Sequence, residues 1–166
     1  MLSGYRKLAA ERESQGIPAL PLNANQTQEL TKLLEHPPEA DKEELLYLLK
    51  ERIPPGVDEA AYVKATWLSS IAQDSTKSTL VSPLEATRLL GTMIGGYNVG
   101  ALIELLQNQD PKIANCAADC LSHTLLVYDA VNDILELSKN NHFAKKVISS
   151  WAAAEWFTSK KVLEKE

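Results

Sequence analysis

Ser82-Pro83-Leu84-Glu85-Ala86-Thr87-Arg88-Leu89-Leu90-Gly91-Thr92-Met93-Ile94-Gly95-Gly96-Tyr97-Asn98 is the stretch that decides the fold class of this chain. Its first four residues are a helix start, with Ser82 as N-cap, Pro83 at the first helical position and Glu85 at the third. Ala86, Leu89, Leu90, Met93 and Ile94 then fill the i, i+3, i+4, i+7, i+8 template of one apolar helix face. Two adjacent glycines stop that stripe. Asn98 stands where it would cap a new helix, in which Val99, Leu102, Ile103 and Leu106 repeat the pattern. A helix that hands over to a helix across so short a break points to an all-α fold.

The same reading extends both ways. Toward the N-terminus the spacing predicts a helix from Leu2 to Gln15, with Gly16 just past its end where a left-handed residue costs least. Pro18 and Pro21 make Ile17 to Leu22 an extended connector. Asn23 caps a helix to Glu35 with Gln26 as its capping-box partner, and Pro37-Pro38 ends that unit. A third helix runs from Glu39 to Arg52 with a broad apolar face, Leu45, Leu46, Leu48 and Leu49. Pro54-Pro55-Gly56 closes it before a helix from Val57 to Gln73. Asp74 to Val81 is polar, rich in Ser and Thr, and is expected to be the most mobile loop.

Toward the C-terminus, Ile113, Cys116, Ala117, Cys120, Leu121 and Leu125 form one stripe, and Val127, Ala130, Val131, Ile134 and Leu135 the next. A last helix from His142 to Phe157 presents Ala144, Val147, Ile148 and Trp151. About nine helices joined this tightly are expected to pack as antiparallel hairpins. Strand patterns are nearly absent, and no crisp fixed-period repeat appears.

Composition bounds what such a bundle can do. A chain of 166 residues with 45% hydrophobic and 23% charged residues is an ordinary globular domain that can bury its own core. No apolar run reaches the roughly 18 residues needed to span a bilayer, and no secretory signal precedes a cleavage site. The expectation is a cytoplasmic protein without a membrane partner. A net charge of −5, with no basic run longer than two, argues against nucleic acid.

Few residues are candidates for chemistry, and each has a plainer reading. Cys116 and Cys120 are four residues apart, but both fall inside an apolar stripe where cysteine behaves as a small hydrophobe. His123 follows Asp119 by four residues, so a carboxylate–imidazole pair on one helix flank is feasible. Ser122 beside it points elsewhere and forms no dyad. His36 and His142 lack the i, i+4 partner of a helical metal site and are expected to be exposed. Gly95-Gly96-Tyr97-Asn98 precedes a helix as anion-binding turns do, yet it lacks both a P-loop Lys-Ser/Thr and a preceding strand. Tight helix packing explains the glycines as well. Trp156 and Phe157 either close this domain's core or form a contact surface for a domain further along the chain. Glu39, Asp41, Glu43 and Glu44 surround a helix start, where carboxylates favour the positive end of the dipole.

Leu89 to Asn98, Leu-Ser-His-Thr-Leu-Leu at 121–126 and Ser-Trp-Ala-Ala-Ala-Glu-Trp-Phe at 150–157 together resemble the N-terminal helical region of bacterial aconitase B. Asn-Ala-Asn-Gln at 23–26 and Pro-Pro-Gly-Val-Asp-Glu-Ala-Ala-Tyr-Val-Lys-Ala at 54–65 fit the same family, so the resemblance covers essentially the whole chain. It implies a HEAT-like α-solenoid over residues 1–157, with 158–166 as a connector into a following domain.

The resemblance further implies a parent lyase, aconitate hydratase, of the tricarboxylic acid cycle. Such a parent interconverts citrate and isocitrate through cis-aconitate, and some members also hydrate 2-methyl-cis-aconitate. It uses an iron–sulfur cluster as Lewis acid. The cluster's three cysteine ligands lie downstream in that family, and this chain has two cysteines in all, so no catalytic, cofactor or metal residue maps onto it.

The expected role is therefore a non-catalytic accessory domain that flanks the route to the active site. Its partners would be the downstream catalytic domains, a second copy or other enzymes. Candidate interface or access-route residues are Gly95, Gly96, Tyr97, Asn98, His123, Trp156 and Phe157. The competing reading is a free-standing helical scaffold that binds another protein and has no enzymatic parent.

Overall fold

A computed structural model describes residues 1–124, 127 and 130–153, and every described element is helical. The helices are α1 (Leu2–Glu13), α2 (Ala24–Glu35), α3 (Lys42–Glu51), α4 (Glu59–Ala72), α5 (Pro83–Leu90), α6 (Val99–Leu105), α7 (Pro111–Ser122), α8 (Ala130–Ser138) and α9 (His142–Ala152). The all-α expectation is met, with nine helices among the described residues.

Local chemistry sets most of the boundaries. Asn23 and Gln26 form a reciprocal capping box, Gln26 N–H donating to Asn23 Oδ1 at 2.9 Å and Asn23 N–H to Gln26 Oε1 at 3.0 Å. Asp58 accepts from the N–H groups of Ala60 and Ala61 and starts α4 two residues later than its apolar pattern implies. Ser82 accepts from Glu85 N–H at 3.2 Å with Pro83 at the first position of α5. Gly16 takes a φ of +71° beyond α1, where the turn needs a left-handed residue.

Two expectations need correcting. The helix expected from Glu39 to Arg52 is a single 3-10 turn at Glu39–Asp41 followed by α3. Two of its acidic residues are engaged rather than merely solvated, since Arg6 of α1 pairs with both Asp41 and Glu44 and ties α1 to this turn. The Ala86–Ile94 stripe also breaks early. Because α5 ends at Leu90, Ile94 leaves the helical register and lies 67% exposed, while Ala86, Leu89, Leu90 and Met93 are buried. The Asp74–Val81 loop is tied down by Ser78, whose hydroxyl donates to the carbonyl of Leu34 at 2.6 Å.

Adjacent helices share one core. α2 packs on α3 and α4, α4 on α5, α5 on α7, and α7 on both α6 and α9, while α8 lies against α9 and α6. Leu30, Leu34, Leu45, Leu48, Leu49, Leu68, Leu90 and Leu102 are fully buried between them. Each contributes about 1.5–3 kcal/mol relative to an exposed leucine. This arrangement holds the turn between α5 and α6 over the turn that precedes α4.

Candidate functional site

The Gly91–Asn98 turn has a clamped outer face and a hollow inner one. On the outer face, Ile94 N–H donates to the carbonyl of Pro55 at 2.9 Å, and the Tyr97 hydroxyl donates to the carbonyl of Val57 at 2.9 Å. The two backbones come so close at Gly95 that a Cβ there would sit 2.0 Å from the Gly56 oxygen. Only glycine fits. Gly96 adopts a φ of +92°, the left-handed region that glycine enters without strain. Tyr62 of α4 meets the Tyr97 ring edge-on at 5.4 Å. Val57, Tyr62 and Tyr97 thereby form one exposed surface, between 42% and 74% exposed, while Ile94, 67% exposed, borders the cavity on the inner side.

On the inner face, Asn98 is fully buried and does not cap α6, contrary to expectation. Its backbone is already helical, with φ −87° and ψ −20°, so its side chain cannot turn back onto the first turn of α6. Instead its Nδ2 donates to the carbonyls of Leu90 at 2.8 Å and Met93 at 3.2 Å, closing the end of α5. Among the described residues its Oδ1 has no hydrogen-bond partner. Asn98 and Ile94, with Gly91, Gly96, His123 and Thr124, border a cavity of about 210 Å³.

Of the residues singled out from sequence, Gly96, Asn98 and His123 are brought together at this cavity, and Tyr97 and Gly95 lie on the clamped side. Trp156, Phe157 and the 158–166 connector lie outside the described residues, as does Leu125. The Asp119–His123 carboxylate–imidazole pair does not form. His123 Nδ1 is 2.8 Å from the backbone carbonyl of Asp119, whose carboxylate goes to Lys146 and Asn115. His36 and His142 are exposed, as their sequence context implied.

The cavity offers an imidazole, a hydroxyl and an amide oxygen, which can bind but do not constitute acid–base machinery. Cys116 and Cys120 sit half-buried behind Gly91, where an added Cβ would lie 2.3 Å from Cys120 Sγ. Burial pushes both thiols up, Cys120 to about 12, so neither is a ready thiolate. These residues do not fit an iron–sulfur cluster, which needs three thiolates where the chain has two cysteines. Among the described residues no group of three or more His, Cys, Asp or Glu could hold a metal ion. No described helix is long and apolar enough to cross a membrane.

Two features escaped the sequence reading. Val57 and Tyr62 belong to the exposed surface, and nothing local announces that a turn 40 residues away will meet them. Lys64, 2% exposed, was detectable, because it stands on the apolar face of α4 at i+4 from Ala60 and i−4 from Leu68.

A family model of the aconitate B N-terminal domain matches residues 4–157. The chain is 58% identical over 160 residues to aconitate hydratase B of Synechocystis sp., covering 96% of this chain and 18% of that protein. It is 52% identical over 164 residues to aconitate hydratase B of Escherichia coli, covering 98% of this chain and 19% of that one. The Pseudomonas aeruginosa enzyme is 51% identical over 161 residues, 96% of this chain and 18% of the relative. The chain thus spans less than a fifth of the length of the curated relatives it matches. On that match, which runs nearly end to end, the chain belongs to the aconitate B N-terminal domain family.

Proposed function

We propose that this chain serves as a non-catalytic accessory domain of an aconitate hydratase B-like lyase, with the helices arranged as a HEAT-like solenoid. Its parent would interconvert citrate and isocitrate in the tricarboxylic acid cycle, and the parent's iron–sulfur cluster would be held by residues beyond this region. The observation that carries the reading is the Val57–Tyr62–Tyr97 surface, three large side chains exposed beside a backbone clamped at Gly95. Exposed apolar side chains gathered in one place favour a contact. Their proposed occupant is the remainder of the enzyme polypeptide, which in the relatives is more than four-fifths of the protein. From there the domain would flank the route to the active site.

The reading is tested by tyrosine-directed labelling of this chain alone and of a full-length enzyme that contains it. Tyr62 and Tyr97 are expected to react in the isolated chain and to be protected in the full-length protein. Equal labelling in both would remove the surface from the enzyme's interior and favour an external partner or self-association. Citrate turnover by the isolated chain would overturn the accessory role itself.

A further inference from the structure

Cys116 and Cys120 stand one turn apart on α7, so their side chains leave the helix from the same face. That face meets α5, and the two helices close on each other where Gly91 has no side chain to hold Cys120 off. Beside the contact lies an open hollow of about 380 Å³, lined by both cysteines together with Arg88, Asp119 and His123. Both residues are half-buried, and their thiols are within hydrogen-bonding reach of each other.

A disulfide does not suit this pair. Residues four apart on a helix hold their Cβ atoms about 5–6 Å apart, whereas a disulfide draws them to about 3.5–4.5 Å. An ion seated between the sulfurs spans the wider gap without unwinding α7. Thiolates are soft ligands and select soft ions, copper(I) and zinc among them. A closed zinc site takes four ligands in a tetrahedron, and the chain has two cysteines in all. His123 does not extend the set, since its Nδ1 is 2.8 Å from the Asp119 carbonyl and no group of three among the described residues could hold a metal. Two sulfurs are a full complement only for a soft monovalent ion. Charge agrees with that choice. Two thiolates and a monovalent cation leave a single negative charge, and Arg88 of α5 is the cation that acts on both sulfurs. Glu85 and Asp119, the carboxylates that oppose it, are paired with Lys50 and Lys146.

We propose that Cys116 and Cys120 form a two-coordinate site for a soft monovalent metal ion of the copper(I) kind, held sulfur–ion–sulfur across one turn of α7. Binding breaks both S–H bonds, forms two S–Cu bonds and releases two protons to solvent, with no change in the oxidation state of copper or sulfur. Cys120 gives up the weak bond its thiol donates to the Thr87 carbonyl at 3.7 Å. The site lies apart from the Val57–Tyr62–Tyr97 surface, and the inference does not rest on the accessory role.

The test is an anaerobic titration of this chain with copper(I) against the chelator bathocuproine disulfonate. One ion per chain is expected to be retained, with two sulfur ligands by X-ray absorption. Cys116→Ser and Cys120→Ser, each checked for folding by circular dichroism, should both lose it. Because two protons leave, affinity should climb about a hundredfold per pH unit below the thiol pKa values. Arg88→Gln, at an exposed position, should weaken binding about tenfold and keep both sulfur ligands. Any of three results overturns the proposal: no retention against the chelator, a folded serine variant that binds as tightly as the parent chain, or zinc held as tightly as copper(I).

Discussion

Asn98 and Asn141 occupy equivalent places, each immediately before a helix, and they do different work. Asn141 has an extended backbone, with φ −117° and ψ 119°, and caps α9 by accepting from Ala144 N–H at 3.0 Å. Its Nδ2 donates at the same time to the carbonyl of Leu106, at the end of α6. Both ends of that amide are paired. Asn98 also donates backward, to the end of α5, but its helical backbone carries Oδ1 away from the helix start and leaves it buried without a partner among the described residues. The two asparagines teach that the residue type at a helix start does not determine a cap. The backbone angle does, and Asn98 leaves a turn in which Gly95 lies against Gly56 and Gly96 takes a left-handed φ.

The comparison can be broken most forcefully at the clamp. Gly95→Ala forces two backbones apart, with no side-chain end that can swing away. It should cost about 3 kcal/mol or more in urea unfolding. Gly91→Ala meets Cys120 Sγ, which can rotate away, and Cys120 Cβ at 2.9 Å, which cannot, so it should cost less than the backbone clash at Gly95. A Gly95→Ala loss below that of Gly91→Ala would mean the clamp is not what sets the turn.

Asn98→Ala should come next, at about 2–3 kcal/mol, because it removes two buried hydrogen bonds and leaves the Leu90 carbonyl with Met93 N–H alone. Asn141→Ala should cost about 1–2 kcal/mol, since its cap is lost at a partly solvated helix end. Reversal of this order would show that the orphan oxygen of Asn98 already cancels its two hydrogen bonds.

Smaller effects come from the two titrating groups around the α3–α5 junction. Lys64 has its pKa lowered in the folded chain, so the unfolded chain binds more protons between that lowered value and 10.5. Stability should rise with pH through this window, and Lys64→Met should abolish the rise. Glu85 gives a rise of the same sign in the acid range. Its lowered pKa, set chiefly by Lys50, gives stability that is present above its ordinary value and lost as pH falls through the folded one. Lys50→Met should flatten that acid-side loss, an effect within about 1 kcal/mol because the pair is partly solvated. Acid and alkaline unfolding series on the two variants check both signs.

Much of the fold was legible because its signals are local. The Asn23–Gln26 box, the Ser82-Pro83 start and the Pro54-Pro55-Gly56 stop all act within four residues of where they are written. The site was legible only in part. Gly95 and Gly96 advertised a special backbone, but not that its reason is a carbonyl from residue 56. Ile94 fits the helical template and yet faces solvent, because tertiary pairing with Pro55 overrides the periodicity. Asp119 and His123 had the right spacing, but Lys146 from α9 competes for the carboxylate. In each of these cases the deciding partner lies far along the chain.

The pairing of residues 55–57 with 94–97 has a consequence for recognition. The tyrosine-flanked surface is a discontinuous epitope, written half from Val57 into the first turn of α4 and half in the α5–α6 connection, and no peptide from either half contains it. It comes into being only when α4 and α5 have docked. Whatever binds there reads the folded state of this domain, and a chain that has lost that docking offers it nothing to hold.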